Sequence, residues 1–190
     1  MIIGIDMGGT HIDGVIIHNG KIIKTTKNPT DRNDLFKTIQ STLQQLLDNT
    51  DTNKIARINL STTVSTNAIV ENKVSKVGMI VQTGPGMRHD FSDAGDQVSF
   101  ISGYIDHRGS IVKGVAKDEI QAIKTKFIEH GIESVGVVSK FSTRNPSHEL
   151  AVAELLKSDF DNITTGHSLS GKLNFPRRVH TSYLNAAVSR

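Results

Sequence analysis

The chain has 190 residues, of which 36% are hydrophobic and 22% are charged, a balance typical of one compact domain, or one domain with an insertion, and not of a disordered segment. Its net charge is only +3, its lysines and arginines form no dense run and 5% of its residues are aromatic, so the composition argues against nucleic acid as a partner. The lack of cysteine excludes disulfide bonds and cysteine-ligated zinc, and the lack of a signal-like N-terminus or a long apolar run predicts a cytoplasmic protein with no membrane partner.

Three antiparallel strands are predicted at the start of the chain. Two short apolar runs are separated by a glycine-rich turn, and the Asn19-Gly20 pair after the second run is a strong signal for a hairpin into a third strand. These strands are expected over residues 2–6, 12–18 and 21–27. A chain that opens this way forms part of an antiparallel sheet before any helix is made.

An amphipathic helix is predicted next, over 30–49, with Thr30 or Asp31 as its N-cap. Its inward face is expected to consist of Leu35, Phe36, Ile39, Leu43, Leu46 and Leu47. Strands are then expected over 56–60, 76–81, 134–140 and 162–168, and a hairpin is expected around 106–110 inside an otherwise irregular stretch over 83–116. Short or amphipathic helices are expected over 68–72 and 117–131, after Asn145 and from about Arg177.

The helices of the second half have recognisable ends and inward faces. Gly131 is the expected C-cap of the helix over 117–131, and in the stretch RNPSHE we expect Asn145 to cap a helix that has Pro146 in its first position. This interpretation gives His148 and Glu149 a structural role. The inward faces of these two helices are predicted to contain Ile120, Ile123, Phe127 and Ile128, and Ala151, Val152, Leu155 and Leu156.

The order of these elements predicts an α/β domain with a mixed sheet, because three antiparallel strands feed alternating helices and strands. The last helix keeps its apolar spacing up to two residues from the end, and no glycine or proline stops it. We therefore expect the chain to be a piece of a longer protein.

The glycine-rich turn after the first strand is a candidate phosphate site. Gly8 and Gly9 leave main-chain N–H groups unobstructed, and Thr10 adds a hydroxyl donor, a combination that favours an anion. Asp6 precedes this turn, and its carboxylate suits a phosphate only if Mg²⁺ lies between them or if it orients a water. A tight turn whose aspartate merely accepts turn hydrogen bonds is the alternative.

Several stretches carry a resemblance to a known family. GIDMGGTHIDGVI (4–16) resembles the first phosphate motif of the superfamily of actin, heat-shock proteins and sugar kinases, whose fold is ribonuclease-H-like. Four further blocks, over 61–71, 84–91, 141–156 and 183–188, occur in the order found in the N-terminal domain of the hydantoinase/oxoprolinase family. The resemblance spans nearly the whole chain and implies one such domain over 1–190, with an inserted or appended α/β subdomain at about 84–175.

The resemblance implies an activity and a set of partners. Family members use ATP to open a cyclic amide such as 5-oxoproline or a hydantoin, so ATP and Mg²⁺ are the expected cofactors and a small cyclic amide is the expected substrate. A second ATPase domain or a partner subunit would complete the nucleotide site, and the 190-residue chain alone is expected to bind ATP weakly and to turn nothing over. A small-molecule kinase, a ketone carboxylase subunit and a non-catalytic nucleotide-binding scaffold are the alternatives.

The resemblance and the motifs together select the site residues. Asp6 and Asp13 are the expected catalytic residues and metal ligands, since they lie on neighbouring strands and could share a cation. The expected nucleotide contacts are Gly8, Gly9, Thr10, His11, Thr62, Thr63, Asn67 and Arg88. Each assignment has a structural alternative. His11 is then a structural histidine, Arg88 is a surface arginine, and Ser65 or Thr66 caps the following helix. The chain departs from the family pattern at His11, Ile12, Leu60, Ser61 and His89, and these departures favour the scaffold alternative.

Overall fold

The structure, a computed structural model, describes residues 1–31, 33–86, 90–172 and 174–189. The chain divides into two compact units, Met1–Lys73 and a second unit that begins at Val74. Each unit has a four-stranded sheet and its own hydrophobic core. The expected α/β class with a mixed first sheet is confirmed.

The first unit is built on the predicted antiparallel strands. Strand β1 pairs antiparallel with β2, β2 pairs antiparallel with β3, and β4 pairs parallel with β1, which gives the order β3-β2-β1-β4. The strands are β1 (Ile2–Met7), β2 (His11–His18), β3 (Lys21–Pro29) and β4 (Arg57–Thr62). The helices are α1 (Leu35–Leu47), a short 3-10 helix (Thr52–Lys54) and α2 (Val64–Val70).

Helix α1 packs closely on one face of this sheet. The core there consists of Ile3, Ile5, Ile12, Ile16 and Leu46. A Cβ atom at Gly14 of β2 would lie 2.8 Å from a methyl group of Leu46 and 2.9 Å from a methyl group of Thr26, so a glycine is required for the helix to approach β2.

The start and the inward face of α1 differ from the prediction. The N-cap is Asp34, whose side chain accepts a hydrogen bond from the Lys37 N–H, rather than Thr30 or Asp31. Phe36 was expected inside, but it is 75% exposed, and the buried positions are Thr38, Thr42 and Leu46. The two threonines can occupy this face because their hydroxyls donate to carbonyl oxygens one turn earlier in the helix.

Helix α2 begins earlier than the sequence predicted. It starts at Val64 instead of residue 68, and its N-cap is Thr63, which makes no side-chain capping bond. The prediction that Ser65 or Thr66 caps the helix is therefore wrong. Because the helix begins at Val64, Asn67 lies in its first turn, beside Gly9 in the turn that follows β1.

The second unit contains a parallel sheet in the order β10-β9-β5-β6. Its strands are β5 (Val77–Gln82), β6 (Gln97–Phe100), β9 (Ser134–Ser139) and β10 (Asn162–Thr165), and a separate hairpin consists of β7 (Tyr104–Ile105) and β8 (Ile111–Lys113). Its helices are α3 (Lys117–Glu129), α4 (Ser147–Leu156), α5 (Gly166–Leu169) and α6 (Phe175–Val188). The hairpin around 106–110 is confirmed, whereas β6 lies in a stretch that was expected to be irregular.

Two apolar layers cover the two faces of this parallel sheet. Helices α3 and α4 pack on one face, where the ring of Phe127 lies so close to Gly78 that no side chain fits there. Helix α6 and the segment that contains Phe91 and Ala94 pack on the other face. Two residues predicted to face inward do not do so: Ile128 is 52% exposed, and Ala151 is also exposed.

The ends of the helices agree in part with the sequence. Gly131 follows α3 with a φ of 65°, as a C-terminal glycine should. Helix α4 begins at Ser147, so Pro146 is the N-cap and not the first helical residue, while the Asn145 side chain accepts from the Ser147 N–H. None of the helices in the described residues combines the length and apolarity that crossing a membrane requires.

Candidate functional site

The two predicted carboxylates lie side by side on the first sheet. Asp6 of β1 is directly opposite Asp13 of β2, and cross-strand partners point to the same face. Both residues are exposed. On one side Asp13 is opposite Lys27, whose Nζ lies 3.4 Å from an Asp13 carboxylate oxygen, and on the other side Asp6 is opposite Ser61. The arrangement is a polar row across all four strands.

The glycine turn that follows β1 has both used and unused main-chain donors. The Gly8 N–H donates to the His11 carbonyl at 2.9 Å, which closes the turn, and Thr30 ties the turn to the end of β3 through bonds to Gly8 and Thr10. The N–H groups of Gly9 and Thr10 make no hydrogen bond within the described part of the chain. The turn is therefore fixed by its neighbours and still presents two free donors.

The segment that joins β4 to α2 lies beside the same turn. The Thr63 N–H donates to the Met7 carbonyl at 3.0 Å, and the Thr62 hydroxyl accepts from the Val64 N–H at 3.2 Å. A Cβ atom at Gly9 would lie 3.2 Å from the Asn67 side-chain nitrogen. The structure thus brings Thr62, Thr63 and Asn67 next to the glycine turn.

A small cavity opens against this turn. Its volume is about 190 Å³, and its lining, which is mainly apolar, includes Gly9, Thr30, Leu35, Val64 and Asn67. It is smaller than the roughly 300–1,000 Å³ of most ligand pockets. The cavity can hold a small group beside Gly9 but not a whole nucleotide.

Two predicted contacts are less informative. His11 is exposed, and its Nδ1 lies 3.2 Å from the Thr10 hydroxyl oxygen, so it is near the turn without being held in it. Arg88 lies outside the described residues, together with Met87 and His89. Its proposed role as a phosphate or carboxylate partner stays a prediction.

The donor set of this site fits a hard cation only when a ligand completes it. Within the described ranges, no group of three or more histidine, aspartate or glutamate side chains could hold a metal ion. Magnesium, however, is often bound by one or two carboxylates together with phosphate oxygens and water. Asp6 and Asp13 have the carboxylates that such a site would need, and the free N–H groups of Gly9 and Thr10 suit a phosphate.

The second unit contains a buried polar cluster that the sequence did not reveal. Glu149 is fully buried, and its carboxylate accepts from the Ser139 N–H at 2.7 Å and from the His167 N–H at 2.8 Å, with His167 Nδ1 at 2.6 Å. Arg178 is 3% exposed and donates to the Ser139 carbonyl. Burial lowers the pKa of Arg178, and the charge of Glu149 opposes that shift. The structural role expected for Glu149 agrees with these contacts, although it joins the end of β9 to the start of α5 rather than capping a helix.

Comparison with known proteins gives consistent results. The sequence model of the hydantoinase/oxoprolinase N-terminal region matches residues 2–160. The alpha subunit of caprolactamase from Pseudomonas jessenii is 26% identical over 98% of this chain, and the gamma subunit of acetophenone carboxylase from Aromatoleum aromaticum is 22% identical over 99%. The chain spans about a third of each relative, 31% in both cases.

Solved structures agree with these sequence matches. The nucleotide-free structure of acetone carboxylase has a TM-score of 0.75 at 16% identity and covers 98% of this chain, which is 32% of that protein's length. The crystal structure of ATP-dependent caprolactamase from Pseudomonas jessenii has a TM-score of 0.67 at 26% identity, over 100% of this chain and 31% of that one. The ribonuclease-H-like, actin-type fold class expected from the sequence is confirmed. The chain belongs to the hydantoinase/oxoprolinase family and corresponds to the N-terminal region of its members.

Proposed function

We propose that this chain is the N-terminal region of an ATP-dependent cyclic amidohydrolase of the hydantoinase/5-oxoprolinase type, and that its first unit holds the phosphates of ATP. The observation that carries the proposal is the pair of free N–H groups at Gly9 and Thr10, in the turn that joins the two strands of Asp6 and Asp13. Like charges directly opposite each other on neighbouring strands destabilise a sheet. A cation bound between them would remove that repulsion, so the pair has a clear use when a nucleotide is present.

Each group in the site has a distinct role in this proposal. The N–H groups of Gly9 and Thr10 and the Thr10 hydroxyl bind phosphate oxygens, and Asp6 and Asp13 hold Mg²⁺. Lys27 keeps the carboxylate of Asp13 in place through their ion pair at 3.4 Å. Thr62, Thr63 and Asn67 line the other side of the turn. When bound, ATP supplies a phosphoryl group whose transfer to an amide oxygen makes a resonance-stabilised carbonyl open to attack.

The rest of the activity is proposed to come from outside this chain. Because the chain spans about a third of its relatives, a second ATPase domain or a partner subunit would supply the remaining nucleotide contacts and the amide site. The relative named as a caprolactamase subunit supports a cyclic amide as substrate. The relative named as an acetophenone carboxylase subunit favours a second candidate, in which ATP activates a ketone for carboxylation.

The binding proposal is tested on the 190-residue chain by amide NMR during titration with Mg·ATP. We expect weak binding, with a dissociation constant of about 1 mM, and shifts centred on Gly9 and Thr10. Asp6→Asn and Asp13→Asn should each weaken Mg²⁺-dependent binding by at least about tenfold, as the loss of a ligand-sphere carboxylate does. Asp48→Asn, an exposed carboxylate of the same unit, is the control and should bind as the wild type does.

Two results would count against the proposal. Shifts that avoid the glycine turn would move the nucleotide site elsewhere, and equal binding with and without Mg²⁺ would remove the role of the two aspartates. The reaction itself is tested on the full-length protein with any partner subunit. ADP release that depends on a cyclic amide supports the amidohydrolase, release that depends on a ketone and bicarbonate supports the carboxylase, and a stable phosphoester would instead indicate a kinase.

A further inference from the structure

The parallel sheet of the second unit has a point where its connections diverge. Strand β5 is followed by β6 on one side, through a segment whose Phe91 and Ala94 pack on the α6 face of the sheet. Strand β9 is followed by β10 on the other side, through α4 on the opposite face. Ligands of open α/β sheets bind in the crevice outside the carboxyl ends of two such strands. The topology therefore singles out the carboxyl ends of β5 and β9.

A crevice of about 250 Å³ lies at this point. Its walls include the residues that come directly after the two strands, Thr83, Gly84 and Pro85 after β5 and Lys140 and Phe141 after β9. Tyr104 and the following residues of the β7–β8 hairpin form the opposite wall. Gly84 has a φ of 66°, and a Cβ atom there would lie 3.0 Å from the Tyr104 Cβ, so the glycine lets the hairpin close one side of the crevice.

His148 of α4, which contacts Gln82 at the end of β5, has an unused acceptor. Gln82, which is 2% exposed, donates from its amide nitrogen to the Ser102 carbonyl at 2.9 Å, so its amide oxygen faces His148 Nδ1 at 2.8 Å. His148 Nδ1 must then carry the proton, and Nε2 has a lone pair. This Nε2 is buried and has no hydrogen-bond partner among the residues that the structure describes. A buried acceptor without a donor is costly; a water could donate to it, whereas an ionised carboxylate, which only accepts, could not.

The charges of the lining select the chemistry of the ligand. Lys140 is half-buried, lies over the Phe141 ring at 5.8 Å and makes no ion pair in the described part of the chain. The nearby carboxylate of Asp106 is engaged by the N–H groups of Arg108 and Ser110, both at 2.9 Å, which lower its pKa. A half-buried lysine that forms no ion pair with the described residues suits a carboxylate, and the negative charge of Asp106 in the same lining disfavours a ligand with two negative charges.

We propose that this crevice at the ends of β5 and β9 binds a small monocarboxylate with a compact ring or apolar body. The carboxylate is held by Lys140, and the body packs against Pro85, Tyr104 and Phe141. The crevice is smaller than a drug-sized pocket of roughly 300–1,000 Å³, so the ligand is of metabolite size. This site goes beyond the nucleotide proposal and does not depend on it, because all of its residues belong to the second unit.

The test is a titration of the 190-residue chain, without nucleotide or Mg²⁺, with two monocarboxylates and their neutral amides. The probes are benzoate and 5-oxoproline, compared with benzamide and 5-oxoprolinamide. Amide NMR should show shifts at Thr83, Gly84, Tyr104 and Phe141 for at least one carboxylate. The matching amide should bind about tenfold more weakly, because it lacks the charge-assisted bond to lysine.

Matched variants identify the lysine that binds the carboxylate. Lys140→Gln should weaken binding by about tenfold, the loss expected for one charged hydrogen bond, while Lys140→Arg should retain most of it. Lys126→Gln removes an exposed lysine from the last turn of α3 and should bind as the wild type does.

Three outcomes would overturn the assignment. They are shifts that lie away from the crevice, equal binding of an acid and its amide, and no binding of either carboxylate at about 10 mM, a concentration at which even weak specific binding would be detected. None of them bears on nucleotide binding, because the titration contains no nucleotide.

Discussion

Glu149 illustrates how a single side chain holds several elements of the second unit. Its carboxylate accepts from main-chain N–H groups at the end of β9 and at the start of α5, and from the ring of His167. A fully buried carboxylate is stable only when such donors surround it. Because Glu149 lies in the first turn of α4, these bonds fix that helix to the end of β9 and to the start of α5. Lys140, which lines the crevice, directly follows the end of β9.

His148, the preceding residue, should make stability depend on pH. Burial lowers its pKa from the usual value near 6.5, so the native imidazole takes up a proton at lower pH than the unfolded chain does. The stability that the neutral ring contributes is therefore complete above about pH 6.5 and is lost as the pH falls through the native-state value.

We expect the melting temperature of the wild type to fall between about pH 7 and about pH 5, the range in which histidine titrates. His148→Asn keeps an N–H donor for Gln82 but does not titrate, so its melting temperature should fall less than that of the wild type over this range. His18→Asn, which alters an exposed histidine, is the control and should follow the wild type. If the melting temperatures of His148→Asn and the wild type depend equally on pH, the pKa of His148 does not differ between the folded and the unfolded chain.

At the scale of an element, the two aspartates near the N-terminus of α1 have different roles. Asp34 caps the helix by accepting from the Lys37 N–H at 2.9 Å, whereas Asp31 accepts from the Asn33 N–H in a turn before the helix. Asp34→Ala should lower the free energy of unfolding of the first unit by about 1 kcal/mol, the usual loss for an N-cap. Asp31→Ala should cost less than half of that, since it removes only a turn bond.

Urea denaturation followed by circular dichroism measures both variants. The comparison tests the structure against the sequence, which predicted Thr30 or Asp31 as the N-cap. If Asp31→Ala is the more damaging variant, the helix starts earlier in solution than the structure has it.

The sequence predicted those elements whose signals are local. Asn19-Gly20 marks the hairpin from β2 to β3 by itself, and the glycine-rich turn between β1 and β2 places Asp13 opposite Asp6, so the core of the candidate site followed from a few neighbouring residues. Strand β6 was missed because it is four residues long, half-buried and surrounded by irregular chain. Its pairing with β5 depends on tertiary contacts that no local pattern records.

Burial of polar residues was the other failure, and it has a physical reason. Thr42 faces the sheet because Gly14 leaves room for it there, and this match joins residues 28 positions apart. Glu149 is buried because its donors come from Ser139 and His167, which lie on other elements. A single-sequence pattern assigns such residues to the surface, since charged and polar side chains are usually exposed.

At the scale of the whole molecule, the chain consists of two units whose described cores are separate. The core of the first unit is centred on Ile3, Ile16 and Leu46, and no residue of it belongs to either core cluster of the second unit. Hydrophobic burial is the main source of stability, so each unit should have its own free energy of opening. The proposed nucleotide site and the proposed carboxylate crevice would then lie on units that open independently.

Hydrogen–deuterium exchange tests this independence with one large-to-small substitution in each core. Leu46→Ala should destabilise the first unit by about 3 kcal/mol, and Phe127→Ala should destabilise the second by about 4 kcal/mol, because each leaves a cavity in a closely packed site. We expect Leu46→Ala to speed exchange in peptides from β1 to α1 and to leave those from β5 and β9 unchanged, and Phe127→Ala to have the reverse effect. Each variant serves as the control for the other. Faster exchange throughout the chain in both variants would mean that the two cores unfold as one cooperative unit, and a ligand of either site would then stabilise both.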